Sequence, residues 1–302
     1  MRWHLKRRWA RVRTECRDAV QLLLAPGLAA LVPWGAAYQL GRWMLSWMPL
    51  YGSSARQAWA QFQPRQQPAE AEAAWLRRRR LVTWVDHADY YLAATRSDAW
   101  MDRHLQVTGQ WPEPGRAALL FTFHWGAGMW GLRHASRSGL MPRALVASTG
   151  GAPFAGRAVL GWYARARTAC VMRALRCEPL DVSGSLRPAI KTLREGGQVL
   201  AAIDVPADQA SSAEPISLLG LQAAVPRALH RLAVDQKVPV YVYLTGFDAA
   251  TGRRTLKIVS LGVHDNVATL INAVFAHLEQ ALREDPAAWH FWAEAPRFFR
   301  DE

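Results

Sequence analysis

The feature that most constrains the fold of this chain is an alternation of short apolar runs with longer segments of helical periodicity, which begins at Pro112. This alternation is typical of a mainly parallel sheet with crossover helices. The predicted strands are Ala117–Phe123, Ala144–Ala147, Gln198–Ile203, Val238–Thr245 and Thr255–Leu261, and the predicted helices lie near Gly126–Ser138, Arg157–Leu175, Leu186–Arg194, Pro226–Gln236 and Val267–Arg283. The sequence therefore predicts an α/β domain over residues 111–302, with a mainly parallel central sheet flanked by helices.

The first 51 residues combine clustered positive charge with a long apolar stretch. Seven of the first eighteen residues are Lys or Arg, and residues 19–41 carry no charge. Because Pro26 and Pro33 interrupt the apolar stretch, we expect residues 1–51 to form broken amphipathic helices that anchor the chain at a membrane surface. A single membrane-spanning helix is the alternative. Residues 52–110 are expected to be a helical connecting region, in which Arg77–Arg80 form a solvated or headgroup-facing turn.

Composition narrows the class of partner. The net charge is +13 at pH 7 and the chain contains 15 tryptophans, which favours an anionic partner and, more narrowly, a membrane interface. No sequence motif indicates nucleic acid, so nucleic acid is not expected as a partner. Cys16, Cys170 and Cys177 form no CxxC pair and have no histidines at zinc spacing, so neither a disulfide framework nor a metal site is predicted.

The segment Phe121–Trp130 carries the sharpest chemical signal. An apolar strand ends at His124 and continues through Gly126 and Gly128 into a predicted helix. Ligands of open α/β sheets bind at the carboxyl ends of strands, and a histidine there can take a proton from an attacking alcohol or amine. The alternative is a histidine that only caps the following helix.

Several segments, in order along the chain, carry residue patterns that together indicate a protein family. They are the basic apolar N-terminus, His124 after its strand, Arg194–Gly197 before a strand and Asp204, Leu219–Leu221 with Pro226–Leu229, and the closing segment Asp285–Phe298. Together, over about residues 15–300, they resemble the lipid A biosynthesis (lauroyl/myristoyl) acyltransferase family of the lysophospholipid acyltransferase-like superfamily. The resemblance implies transfer of an acyl group from an acyl carrier protein or coenzyme A thioester to a hydroxyl of a lipid acceptor, lipid A-type or a related cell-envelope lipid. It also implies the cytoplasmic face of the inner membrane and no bound cofactor.

The chain departs from the family at the acidic residue that orients the histidine. The family places it five residues after the histidine, and here that position is Met129. Three hypotheses are open: a carboxylate from another segment, Asp204 or Asp208, orients His124; a backbone carbonyl does so; or catalysis has been lost. A specialised acyltransferase of pigment or polyene clusters, and a catalytically impaired homologue that binds lipid or carrier protein, are therefore alternative functions.

Other residues are interpreted more simply. The resemblance assigns substrate binding, to a lipid phosphate or the thioester oxyanion, to a group of arginines after the second predicted strand: Arg157, Arg165, Arg167 and Arg173. The alternative for each of them is a place on a solvated helix face. His230 and Asp235 match the family's HxxxxD spacing, but they lie within a predicted helix, and we interpret them as surface residues without a catalytic role. Trp162 is expected to pack in the core.

Overall fold

The apolar runs form the strands of a seven-stranded sheet in a computed structural model that describes residues 2–146, 154, 156–182, 185–206, 208 and 212–299, with side chains from Arg8 onward. The strands are β1 (Leu105–Thr108), β2 (Ala118–Thr122), β3 (Arg143–Val146), β4 (Leu180–Asp181), β5 (Gln198–Ala202), β6 (Ala213–Leu218), β7 (Leu221–Pro226), β8 (Val240–Phe247) and β9 (Arg254–Gly262). The sheet order is β1-β9-β8-β2-β5-β3-β4, and β6 and β7 form a separate hairpin. All neighbours in the large sheet are parallel except β8 and β9. The predicted mainly parallel α/β fold is confirmed.

All five predicted strands are present, with ends that differ from the prediction by at most two residues. The strands that the sequence reading missed are β1, β4, β6 and β7. β1 exposes three of its four residues at the edge of the sheet, and β4 has only two residues, so neither has an apolar pattern to recognise. The β6–β7 hairpin turns through Leu219 and Gly220, both with positive φ, a tight turn that the sequence reading did not identify.

Helices pack on both the sheet and one another. They are α1 (Arg2–Asp18), α2 (Ala25–Gly27), α3 (Trp34–Trp47), α4 (Gly52–Phe62), α5 (Glu72–Thr95), α6 (Asp98–His104), α7 (Met129–Arg137), α8 (Ala158–Leu175), α9 (Arg187–Arg194), α10 (Ala228–Gln236) and α11 (Val267–Glu284). α1 continues through a wider turn, Ala19–Leu24, and a 3-10 turn, Leu28–Ala30, before Pro33 starts α3. The five helices predicted after residue 111 are confirmed. In the described part of the chain, no helix has both the length and the apolarity that crossing a bilayer requires.

The N-terminal helices are fixed to one edge of the sheet. The Trp34 indole donates to the Gly252 carbonyl and the Tyr38 hydroxyl to the Ala249 carbonyl, which places α3 on the β8–β9 turn. Below this contact, Arg254 of β9 pairs with Asp89 of α5 and both side chains are fully buried. Because β8 runs parallel to β2, the β8–β9 turn lies at the same edge as the carboxyl end of β2.

The Arg77–Arg80 run is not the solvated turn that the sequence predicted. Only Arg77 is exposed. Arg78 pairs with Asp285, and Arg80 donates to carbonyls of the loop after α3. Arg79 is buried and donates to the carbonyls of Ala287, Trp289 and His290. The prediction failed because a helix directs consecutive residues to different sides, and three of these sides face protein.

Candidate functional site

Parallel strand register brings His124 and Asp204 together. β2 and β5 are neighbours in the sheet, and Thr122, the last residue of β2, is aligned with Ala202, the last residue of β5. Two residues further on, each chain has its polar residue, His124 after β2 and Asp204 after β5. Since the two strands keep one register, the side chains meet at the carboxyl edge of the sheet, where α/β proteins bind ligands.

Asp204 is fully buried and holds His124 in one orientation. Its Oδ1 lies 2.9 Å from His124 Nδ1, and both of its oxygens accept from the His124 backbone N–H at 2.9 and 2.8 Å. The Trp289 indole donates to Oδ2 at 2.8 Å. Because an ionised carboxylate only accepts hydrogen bonds, Nδ1 carries the proton of the neutral ring and Nε2 has the free lone pair. This is the tautomer that a general base needs.

The surroundings of the ring adjust its basicity. Phe291 stacks on the imidazole, with ring centroids 3.9 Å apart. Burial alone would lower the pKa of His124, but the charge of Asp204 and its hydrogen bond outweigh burial, and the pKa is raised above its ordinary value. The side chain is still 37% exposed, so a substrate can reach it. His124 is thus a partly accessible base that Asp204 strengthens.

The loop after β2 is bound to the C-terminal segment. The His290 N–H donates to the His124 carbonyl at 2.8 Å, and the Gly126 N–H donates to the Ala288 carbonyl at 3.0 Å. Gly126 has a φ of +53°, and a Cβ there would lie 2.4 Å from the Thr245 carbonyl oxygen. Only glycine therefore fits at this position, and the backbone that presents His124 is held from two sides.

A second group of polar side chains reaches the site from α5 and α8. Arg167 of α8 forms an ion pair with Asp86 of α5 at 2.6 Å, and the Tyr163 hydroxyl lies 2.8 Å from His87 Nδ1. Burial would raise the pKa of Asp86, but the Arg167 charge lowers it to about 2. Both charges contribute to the pKa of His124, which Asp86 raises and Arg167 lowers.

Sequence reasoning missed Asp86, His87, Tyr163, Trp289 and His290 at this site. One signal was available: Asp86 and His87 are adjacent polar residues within the mostly apolar middle of a helix. Burial lowers the pKa of His87 and of His290 to about 4, so both rings are neutral near pH 7. They belong to the buried polar surroundings of His124 rather than to a second charged site.

The structure separates the two aspartates that the sequence offered as orienting residues. Asp204 contacts His124, whereas Asp208 pairs with Arg297 at 2.9 Å and is exposed. Glu294 binds the same arginine at 2.8 Å. Met129 is buried at the start of α7, where its side chain belongs to the apolar core.

The four predicted substrate-binding arginines do not form one cluster. Arg157 pairs with buried Asp18 and so ties α8 to α1. Arg165 and Arg173 are exposed on α8. Arg167 pairs with Asp86, and its charge contributes to the pKa of His124, which it lowers. The described contacts thus assign Arg157 a structural role and Arg167 an ion pair with α5.

Two simpler interpretations of the sequence are wrong. His230 is buried, with Nδ1 3.2 Å from the Pro226 carbonyl, because its face of α10 packs against Phe121 and Phe275 rather than facing solvent. Asp235 points to solvent and pairs with Arg231, so the two residues form no dyad. Trp162 is 52% exposed, since it lies on the outer face of α8.

Among the described residues, no three His, Cys, Asp or Glu side chains are grouped so that they could hold a metal ion. No protein-family model matches this chain, and no curated protein matches it either. The fold and the candidate site therefore define the class of this protein: it is an α/β protein with a histidine–aspartate pair at the carboxyl ends of its parallel strands.

Proposed function

We propose that this chain is an acyltransferase that works at a membrane surface. It would move an acyl group from a carrier-protein or coenzyme A thioester to a hydroxyl of a lipid acceptor, lipid A-type or a related cell-envelope lipid, at the cytoplasmic face of the inner membrane. The observation that carries the proposal is the hydrogen bond of His124 Nδ1 to buried Asp204, which leaves Nε2 as a base. The resemblance seen in the sequence supplies the reaction class.

In the proposed reaction, His124 Nε2 removes the proton of the acceptor hydroxyl as the oxygen attacks the thioester carbonyl. The tetrahedral intermediate then expels the thiolate, which takes the proton back from the imidazolium. Asp204 holds the ring and stabilises its positive charge in the intermediate state. Arg167 is the predicted substrate-binding arginine that we retain in this proposal, because its charge is one of those that act on His124.

Asp204 also bears on whether the protein is catalytic. The catalytically impaired alternative arose from Met129, which stands where the resemblance places an acid. Asp204, at the end of the neighbouring strand, lies 2.9 Å from His124 Nδ1 and is placed to orient the ring without an acid at position 129. This contact supports the active enzyme over the impaired homologue.

The distribution of exposed apolar residues supports a membrane surface. Leu24, Leu28 and Leu31 are exposed at helical spacing after α1, and Trp43 and Trp47 are exposed on α3. α3 lies on the β8–β9 turn, at the edge of the sheet where His124 lies. An apolar face and a catalytic base at the same edge would bring a lipid acceptor to the base.

The test is acyl transfer in detergent solution, from acyl carrier protein and coenzyme A thioesters to a panel of lipid acceptors with free hydroxyls. We expect transfer by the wild type, loss of at least about 10³-fold in His124→Ala, and normal rates in the control His264→Ala, whose ring hydrogen-bonds to the Leu261 carbonyl. Absence of wild-type transfer to every acceptor, or full activity of His124→Ala, would contradict the proposal.

A further inference from the structure

A groove separate from the candidate base lies between the end of the first helical segment and α6. Its volume is about 480 Å³. The apolar side includes Leu31, Val32 and Trp100, and the polar side includes Arg96, Arg103 and His104. The groove lies at the end of the sheet where His124 lies, the carboxyl end of β2. β1 starts directly after His104 and runs antiparallel to β8 and β2, so its first residue is at that end.

The charges of the groove are not balanced by nearby carboxylates. The two acidic residues of α6 are engaged elsewhere, since Asp98 binds Arg133 at 2.8 Å and Asp102 binds Arg137. Arg103 is exposed and forms no ion pair with any residue in the described ranges. The groove therefore presents a guanidinium with room for an anion.

Arg96 adds a second positive charge at the base of the groove. It donates to the carbonyls of Ala29, Ala30 and Val32, which are neutral acceptors. Its Nε is buried and has no hydrogen-bond partner in the described part of the chain. No carboxylate in the described part of the chain pairs with Arg96, so its positive charge remains available to an anion in the groove.

The apolar side of the groove favours a ligand that has an aliphatic part over a free phosphate ion. Leu31 is 77% exposed and continues the row of Leu24 and Leu28, and Val32 lies beside it. Trp100 is covered on one face by His104, with ring centroids 4.0 Å apart, and this stacked pair lines the groove. An occupant that satisfies both sides must carry a negative group and an aliphatic chain next to each other.

We propose that this groove binds an anionic membrane phospholipid, with its phosphate at Arg96 and Arg103 and its acyl chain along Leu31 and Val32. The inference rests on the membrane-surface part of the proposed function and adds a headgroup site distinct from the catalytic base. A lipid held there would fix the edge of the sheet that carries His124 against the bilayer. Electrostatic attraction and apolar burial would act together at one position.

The experiment uses the full chain and dihexanoyl phosphatidylglycerol below its micelle concentration, with binding measured by calorimetry. A monomeric lipid reports a site rather than a charged surface. We expect saturable binding by the wild type and binding about 30-fold weaker in Arg103→Glu, which counts two charge units at about 1 kcal/mol each. Arg194→Glu is the matched control, because Arg194 is exposed at the end of α9, away from the groove, and hydrogen-bonds to Gln236.

Two further measurements test the apolar side and the charge of the ligand separately. Leu31→Ser should weaken lipid binding and leave the weak binding of inorganic phosphate unchanged. Dihexanoyl phosphatidylcholine should bind more weakly than dihexanoyl phosphatidylglycerol. Equal lipid affinity in Arg103→Glu and wild type, or phosphate bound as tightly as the lipid, would overturn the site. Circular dichroism of Arg103→Glu checks that the variant is folded.

The outcome is separable from that of the proposed function. Acyl transfer in detergent by a wild type that binds no short-chain lipid overturns only the groove. Lipid binding without transfer to any acceptor overturns only the enzyme. Arg103→Glu should retain the wild-type rate in detergent, because Arg103 is not part of the group around His124.

Discussion

At the scale of single residues, the carboxylate that contacts His124 comes from a strand end, whereas the resemblance places the acid on the following helix. On that helix, the expected position holds buried Met129. Asp204 reaches Nδ1 of His124 because β2 and β5 are aligned residue for residue up to their ends. Strand register can thus supply a carboxylate to a histidine 80 residues earlier in the chain.

The pH dependence of the rate should report the Asp204–His124 contact. A general base must be neutral, so kcat/KM should rise with pH through the pKa of His124, which the charge and hydrogen bond of Asp204 raise above its ordinary value. Asp204→Asn removes the charge that raises this pKa, so the midpoint should move to lower pH, and the plateau rate should fall by about 10⁴. Asp208→Asn is the control, since Asp208 pairs with Arg297. An unchanged midpoint in Asp204→Asn would contradict the assignment.

Restoring the acid expected from the sequence should harm the protein. Met129 is 2% exposed, and Met129→Glu would place a carboxylate in the apolar core while Asp204 already occupies Nδ1. We expect no gain in rate and a loss of about 3 kcal/mol in the free energy of unfolding. Met129→Leu, which nearly conserves volume, should cost less than about 1.5 kcal/mol. A faster Met129→Glu enzyme would show that Asp204 does not serve as the orienting acid.

At the scale of elements, α5 supports the site through hydrogen bonds from Arg79 to the C-terminal segment. Arg79 remains charged near pH 7, although burial lowers its pKa to about 10, and it binds the carbonyls of Ala287, Trp289 and His290. Trp289 in turn donates to Asp204. The helix, the closing segment and the His124–Asp204 pair therefore form one connected set of hydrogen bonds.

Arg79 and Arg77 provide a matched pair of variants. Arg79→Ala leaves three buried carbonyls without donors, so urea unfolding should show a loss of about 3 kcal/mol, and the rate should also fall because Trp289 loses its support. Arg77→Ala, two residues earlier and exposed, should change the free energy of unfolding by less than about 0.5 kcal/mol. Similar losses in both variants would mean that Arg79 acts only through its general positive charge.

The sequence predicted elements that carry their own periodicity and missed those that depend on partners. The strand Gln198–Ile203 and the helix Val267–Arg283 have clear apolar patterns, and both are present. The edge strand Leu105–Thr108 has no such pattern and forms by pairing with β9. The residues of the site follow the same rule. The sequence predicts His124, because it stands at the end of an apolar strand. It does not distinguish Asp204 from Asp208 as the partner, because that depends on strand register, for which the sequence carries no local signal.

At the scale of the whole molecule, positive charge and exposed apolar residues gather on the N-terminal helices. Trp43 is 61% exposed and Trp47 is 77% exposed, four residues apart on α3. The interior partners of α3, among them Trp34 and Tyr38, attach it to the β8–β9 turn. Since α3 is anchored on one face and apolar on the other, its outer face is suited to enter a bilayer interface together with the edge of the sheet that carries His124.

Binding to uncharged vesicles measures the apolar contribution of the outer face of α3, because electrostatic attraction to anionic lipid is absent. Full burial of a large apolar side chain is worth about 2 kcal/mol, so the double variant Trp43→Ser, Trp47→Ser should bind phosphatidylcholine vesicles at least about tenfold more weakly in a flotation assay. Met141→Ser removes an equally exposed apolar side chain, 62% exposed, from the loop before β3 at the opposite edge of the sheet, and should bind like the wild type. Equal binding of the double variant and the wild type would mean that α3 does not enter the interface. Because the change leaves Asp204 and His124 untouched, transfer to a detergent-dispersed acceptor should persist while transfer to an acceptor in vesicles falls with binding.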